Sequence, residues 1–317
     1  MDEGRYRAAE NALWEAVAST PVERFVHLPR TRLRVRIQEV GEGPPVLFIH
    51  GANTSGLSWA TLAAELPAFR CILVDRPGTG LSDAMPTRVG TEQLIALGEM
   101  FVPDVFDALE IERAHVVATS LGGFIALRSA ARHPERFERM VQFSWPAGAP
   151  TSHVPLSMRV MAIPGVARLA AAAPVSDSTV RSIFRSVGHG PSLDAGRITP
   201  ADIAGYLGLL RFTDTLRNEL RLSAAAVSPL RGMNPALLPP SLLAGIRTPT
   251  LFIWGEHDSF GGTDVARSVV ASIPGATLEV ISGAGHAPWL DDLDRCASLT
   301  AAFLQPHSEP ANVAVTA

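Results

Sequence analysis

Short, uninterrupted apolar runs alternating with helical stretches constrain this chain more than any other feature. Val46-Leu47-Phe48-Ile49, Cys71-Ile72-Leu73-Val74 and Val116-Val117-Ala118 contain no polar residue. A strand with one wet face would alternate apolar with polar, so these read as strands covered on both faces. Trp59–Leu66, Thr91–Leu109 and Leu121–His133 have helical spacing, the second interrupted by Pro103, which predicts a kink or break. Strand, helix, strand at this spacing predicts βαβ units: an α/β fold with a mostly parallel sheet and helices on both faces.

The flanks differ. Residues 6–18 predict a short leading helix with a packing role. Val22–Leu28 and Leu33–Val40 alternate, the second with Leu33, Val35 and Ile37 on one face and Arg34, Arg36 and Gln38 on the other. That pattern suits a half-solvated antiparallel pair at the sheet edge. From Trp145 to Gly245 the alternation stops, and helices are expected over Met158–Ala173, Ser178–Ser186, Ala201–Asp214 and Leu216–Ala226. It resumes with a strand at Pro249–Trp254, a helix at Val265–Ile273, a strand at Thr277–Ile281 and a helix at Leu293–Leu304. The expected organisation is a helical extension over 1–20, a core from 21–146 and 246–305, a helical cap inserted over 147–245, and a disordered tail over 306–317.

Within this frame, Ala118-Thr119-Ser120-Leu121-Gly122-Gly123 marks a sharp corner between a buried strand and a helix. It is G-x-S-x-G with the first glycine replaced by Ala118, and it would hold the Ser120 hydroxyl exposed at the carboxyl end of the sheet. A lone serine is a poor nucleophile. It needs a base, an acid to orient the base, and donors for an oxyanion. His286 fits the base: it sits in Gly283-Ala284-Gly285-His286-Ala287-Pro288-Trp289, a loop directly after the last strand. His27, His133, His189 and His307 have no comparable context and read as packing or surface residues. Asp258 fits the acid, ending Trp254-Gly255-Glu256-His257-Asp258 just past a strand. Glu256, Asp264 and Asp291 compete with it. Glu256 could instead bond the loop backbone, and Asp291 and Asp292 suit the first turn of the closing helix. Oxyanion donors are expected from the backbone of Leu121 and of Ala52, with Asn53 second, in His50-Gly51-Ala52-Asn53. His50, Gly51, Asn53, Trp145 and Trp289 are expected to contact substrate.

Other classes recede. A net charge of -4 without a basic block argues against a nucleic-acid partner. The acidic start Met1-Asp2-Glu3-Gly4 lacks a secretory n-region, and no apolar run approaches the roughly 18 residues of a membrane span. Cys71 and Cys296 read as structural thiols of a reducing compartment, so a cytoplasmic protein is expected. Pro77-Gly78-Thr79-Gly80 lacks the third glycine of a dinucleotide fingerprint and reads as a tight turn, held by polar contacts from Asp75 and Arg76.

Taken together, His50-Gly51, Asp75-Arg76-Pro77-Gly78-x-Gly80-x-Ser82, the Ser120 elbow, Trp254-Gly255-x-x-Asp258 and Gly285-His286-x-Pro288 resemble the α/β-hydrolase superfamily across roughly Val22 to Leu304. The order Ser, Asp, His is the order of that superfamily. The resemblance implies a mostly parallel eight-stranded sheet with helices on both faces and an inserted helical cap. It is similar to capped serine members: esterases, enol-lactone hydrolases, carbon–carbon bond hydrolases and haloperoxidase-like enzymes. It implies an acyl-enzyme route with catalytic Ser120, Asp258 and His286, a small-molecule substrate, and no metal or organic cofactor. Whether the chain is a monomer or a homodimer stays open. Apolar candidates in the cap (Met158, Met161, Ile163, Leu169, Ile183, Phe184, Leu207, Leu209, Leu210 and Phe212) predict a small to medium apolar substrate. Arg159, Arg181, Arg185 and Arg211 could bind a carboxylate but better suit a solvated helix face. An acyltransferase or lyase, or a non-catalytic binding protein on the same fold, is the alternative.

Overall fold

A computed structural model describes residues 1–85, 89–151, 154 and 156–305; the expected disordered tail lies outside them. In chain order the strands are β1 (Val22–His27), β2 (Arg34–Val40), β3 (Pro45–Ile49), β4 (Arg70–Val74), β5 (Ala114–Thr119), β6 (Phe137–Phe143), the two-residue β7 (Val227–Ser228) and β8 (Gly232–Met233), β9 (Thr250–Gly255) and β10 (Thr277–Ile281). The helices are α1 (Glu3–Ala16), α2 (Ala60–Ala64), α3 (Thr91–Ala108), α4 (Ser120–Arg132), α5 (Leu156–Met161), α6 (Pro164–Ala172), α7 (Asp177–Ser186), α8 (Gly190–Asp194), α9 (Pro200–Phe212), α10 (Thr215–Ala226), α11 (Pro240–Leu243), α12 (Thr263–Ala271) and α13 (Leu293–Leu304). α3 runs through Pro103, while the single helix expected over Met158–Ala173 is two, α5 and α6.

The eight-stranded sheet has the order β1-β2-β4-β3-β5-β6-β9-β10. β1 and β2 are antiparallel to their neighbours, and the other pairs are parallel. The chain leaves β3 for β4 on one side and returns to β5 on the other. That reversal opens a crevice at the carboxyl ends of β3 and β5, where sheets of this kind place ligands.

Why the strands carry continuous apolar runs is visible in the two cores. Leu47, Ile49, Val116 and Ala118 face one layer with Phe124, Phe252 and Trp254. Val46, Phe48, Val117 and Val141 face the other with Trp59, Phe143 and Trp289. Both faces of each central strand are therefore dry, and no position can be polar without a partner. α5–α10 all fall between β6 and β9, so the insertion leaves and re-enters the sheet at adjacent strands.

One expectation needs correcting. Of the polar face of β2 only Arg34 is exposed: Arg36 and Gln38 are 1% and 4% exposed. α1 roofs them. Tyr6, Glu10, Leu13 and Trp14 are its buried residues, and Glu10 pairs with Arg36. Arg36 also reaches Glu23 and lies 3.6 Å from Asp75. Burial raises the pKa of Glu10 and of Asp75 from their ordinary values even with Arg36 beside them. Replacing Arg36 by Met would leave these acids desolvated without their cation, a change expected to cost about 3–5 kcal/mol. A carboxyl with a raised folded pKa supplies stability that is present at low pH and lost as pH rises through that pKa. The deficit of Arg36→Met should therefore be larger at pH 8 than at pH 5, as urea unfolding at the two pH values would measure.

Candidate active site

Ser120 opens α4 directly from the end of β5, with φ +51°. A positive φ strains a non-glycine residue, and such strain collects at functional corners. The corner is tight because α4 starts against the end of β3: a Cβ on Gly122 would lie 2.1 Å from the Ile49 carbonyl oxygen. Only glycine fits there. The Ser120 carbonyl accepts from the Ala147 amide at 2.9 Å, which fixes the corner from the other side.

Asp258 follows β9 and is buried. Its Oδ2 lies 3.0 Å from His286 Nδ1 and accepts from the Trp145 amide at 2.9 Å, while Oδ1 accepts from the Phe260 amide at 2.9 Å. His286 lies in the loop after β10, its ring edge-on to Phe260 at 4.5 Å. Phe260 in turn stacks on Trp145 at 5.4 Å. Among the described residues, His286 Nε2 is buried without a hydrogen-bond partner. His286 and Ser120 both line a cavity of about 590 Å³. An imidazole held at one nitrogen by a carboxylate can take and return a proton at the other, and a serine lines the same cavity.

The competing acids are occupied elsewhere. Glu256 accepts from Ser282 Oγ and the Gly283 amide, and that amide first of all lowers its pKa. Asp264 is exposed in the first turn of α12. Asp292 caps α13, but Asp291 does not share that turn. It turns back to accept from His189, Ser192 and Gly285, a correction to the helix-dipole role expected for it.

Gly51, Ala52, Asn53, Leu121, Trp145 and Trp289 all line the cavity. His50 does not, so the expected substrate contact is corrected. Its ring is fully buried: Nδ1 faces the Gly51 carbonyl at 2.9 Å, and Nε2 accepts from the Arg76 amide at 3.0 Å. Burial, then the Arg76 charge, holds its pKa well below the usual range, so the imidazole is a neutral clamp. Arg76 completes that clamp by donating to the His50 and Gly51 carbonyls. Asp75 accepts from the Gly56 and Leu81 amides, so both residues hold loops, as expected.

Sequence reasoning missed what the insertion does here. Glu219 on α10 accepts from Arg76 Nη2 at 3.1 Å and from the Asn53 amide at 3.0 Å. The Asn53 amide is therefore engaged. Nothing in the sequence around Glu219 signals this. Phe260 and Leu13 of α1 also line the cavity, although only Phe260, directly past Asp258, carried a positional hint. Of the apolar insertion candidates, Met158, Met161, Ile183, Phe184, Leu209 and Leu210 line it. Ile163 and Leu169 are exposed, and Leu207 and Phe212 pack in satellite clusters. Arg181 and Arg185 pair with Asp177 and Asp194 on the surface, Arg159 donates to the Pro229 and Leu230 carbonyls, and Arg211 lies over Phe212. Among the described residues no Arg or Lys lines the cavity; its acidic side chains are Asp202 and Glu219.

The family model described as "Alpha/beta hydrolase family" matches residues 46–299. The 2-hydroxy-6-oxononadienedioate/2-hydroxy-6-oxononatrienedioate hydrolase of Paraburkholderia phymatum is 31% identical over 270 residues, which cover 82% of this chain and 87% of that protein. The 2-hydroxy-6-oxo-6-phenylhexa-2,4-dienoate hydrolase of Comamonas testosteroni is 31% identical over 273 residues, covering 83% and 89%. Among solved structures, the naproxen esterase of Bacillus subtilis superposes with a TM-score of 0.74 at 20% identity, over 96% of this chain and 99% of that one. That likeness is one of fold.

Proposed function

Because the chain belongs to the alpha/beta hydrolase family and is an enzyme of that family, we propose that it hydrolyses an ester, lactone or related carbonyl of a small to medium apolar substrate through Ser120, His286 and Asp258. The observation that carries this reading is the Asp258–His286 pair, 3.0 Å apart, with Nε2 left without a hydrogen-bond partner among the described residues and both His286 and Ser120 lining one cavity.

His286 Nε2 takes the Ser120 proton as Oγ attacks the carbonyl, and Asp258 holds the proton on Nδ1 and stabilises the imidazolium. The oxyanion is held by the amides of Leu121 and Ala52. Leu121 is the second residue of α4, so its amide has no acceptor within the helix. His286 then protonates the leaving group and activates the water that clears the acyl-enzyme. The insertion acts as a cap that excludes bulk water from this sequence of steps.

Carbon–carbon bond hydrolysis is the second reading, favoured by the activities for which the relatives at 31% identity are named. Cavity chemistry separates the two substrates. A dioate would bring a second carboxylate into a site whose described lining holds no Arg or Lys. The acids there are engaged: Asp202 caps α9 at Thr199, and Glu219 holds Arg76. A buried charge without a partner costs ~3 kcal/mol, or about 10²-fold. We expect kcat/KM for a neutral aryl ester to exceed that for its ω-carboxylate analogue of equal length by at least about 10². A preference for the carboxylate, or turnover of a dienedioate with none of esters, would overturn the neutral-ester reading.

A further inference from the structure

Taking His286 as the base proposed above, we infer that His189 and Asp291 are positioning residues through which the helical insertion holds the His286 loop in place. Three consecutive amides of that loop are engaged. Gly285 donates to Asp291 Oδ2 at 2.9 Å, His286 to the Val187 carbonyl at 2.9 Å, and Ala287 to His189 Nε2 at 3.1 Å. Two of the three acceptors belong to the insertion. The third, Asp291, is itself bound to it: His189 Nδ1 lies 2.8 Å from Asp291 Oδ2, and Ser192 Oγ donates to Oδ1.

The network fixes the tautomer. Nε2 accepts from an amide, so the proton of His189 sits on Nδ1 and is donated to Asp291. His189 is 1% exposed, and the proposed proton transfers use neither residue. An apolar side chain could fill the same volume, but it could not accept the Ala287 amide, and a buried amide left unpaired is costly.

Two glycines let the backbones meet. Gly188 has φ +98°, and a Cβ there would lie 2.5 Å from the His257 carbonyl oxygen. A Cβ on Gly285 would lie 2.6 Å from the Val187 oxygen. Gly285 thus serves the insertion contact as well as the turn. The same insertion segment lines the cavity through Ile183, Phe184, Val187 and His189. An occupant pressing on this segment therefore bears on the loop that carries the base. Displacing a catalytic group by about 1 Å costs on the order of 10² in rate. The effect belongs in kcat, because these contacts orient the base and do not bind substrate.

The test compares wild type with His189→Leu, His189→Gln and Asp291→Asn on a neutral aryl ester, with kcat expressed per site titrated by a fluorophosphonate so that misfolded protein is not counted. His189→Leu should lower kcat about 10²-fold with KM within about threefold. His189→Gln keeps an acceptor and a donor and should recover at least about tenfold of that loss. Asp291→Asn can keep its oxygen on His189 and Gly285 and turn its amide to Ser192, whose hydroxyl can accept, so kcat should stay within about tenfold of wild type. The inference is overturned if His189→Leu keeps its kcat, if Leu and Gln lose activity equally, if KM rises as far as kcat falls, or if none of the variants folds. If wild-type Ser120 takes no label, the serine-hydrolase reading falls first. Labelled wild type with unaffected variants sinks this inference alone.

Discussion

Replacing Ser120 by Ala is expected to lower turnover of a neutral ester by about 10⁴–10⁶, because the residual rate then comes only from binding and the oxyanion donors. The fold should survive. The hydrogen bond that fixes the corner is made by the Ser120 carbonyl to the Ala147 amide, and Ala retains it. The strain at φ +51° is shared by Ala and Ser, so unfolding free energy should stay within about 0.5 kcal/mol of wild type. Steady-state kinetics together with urea unfolding on the same preparation checks both halves. Near-wild-type hydrolysis in this variant would remove Ser120 from the chemistry.

Asp258→Asn carries the next largest effect, about 10⁴ in kcat, because His286 Nδ1 loses the carboxylate that sets its tautomer. Here stability should fall as well. Asp258 accepts from three donors: the Trp145 amide, the Phe260 amide and His286. An Asn amide must turn its NH₂ toward at least one of them, leaving a buried donor facing a donor at about 1–3 kcal/mol. Loss of kcat with KM little changed, alongside a lower unfolding midpoint, is the expected pair of results. Unaltered kcat would mean that another acid orients the base.

The central strands were legible because burial on both faces leaves little freedom along a run, so Val46–Ile49 and Val116–Ala118 could be read as dry without knowing the neighbours. β2 was not. Arg36 and Gln38 alternate with apolar residues as a wet face would, but alternation reports chemistry and not cover. The roof over them is α1, whose Glu10 pairs with Arg36 across a long stretch of chain. Ser120, Asp258 and His286 stood out because glycine corners and strand ends are local backbone demands. His50 shares that local context, yet its ring turns into the Arg76 loop and away from the cavity. His189 sits in Gly188-His189-Gly190, far from any strand end, and gains its role only through Asp291 and Ala287. Asp291 looked like a helix-start carboxylate because Asp292, which does cap α13, is next to it. Contacts between the insertion and the core join segments that share no local pattern, and a reading of periodicity and spacing has no access to them.

The most direct measurement is the intact mass of the protein after reaction with a fluorophosphonate, followed by peptide mapping and residual activity. One adduct per chain on Ser120, with ester hydrolysis lost in proportion to labelling and no adduct on the Ser120→Ala variant, is the expected result. Hydrolysis that persists in protein fully labelled at Ser120, or labelling that leaves Ser120 untouched while abolishing activity, would contradict its role as the nucleophile.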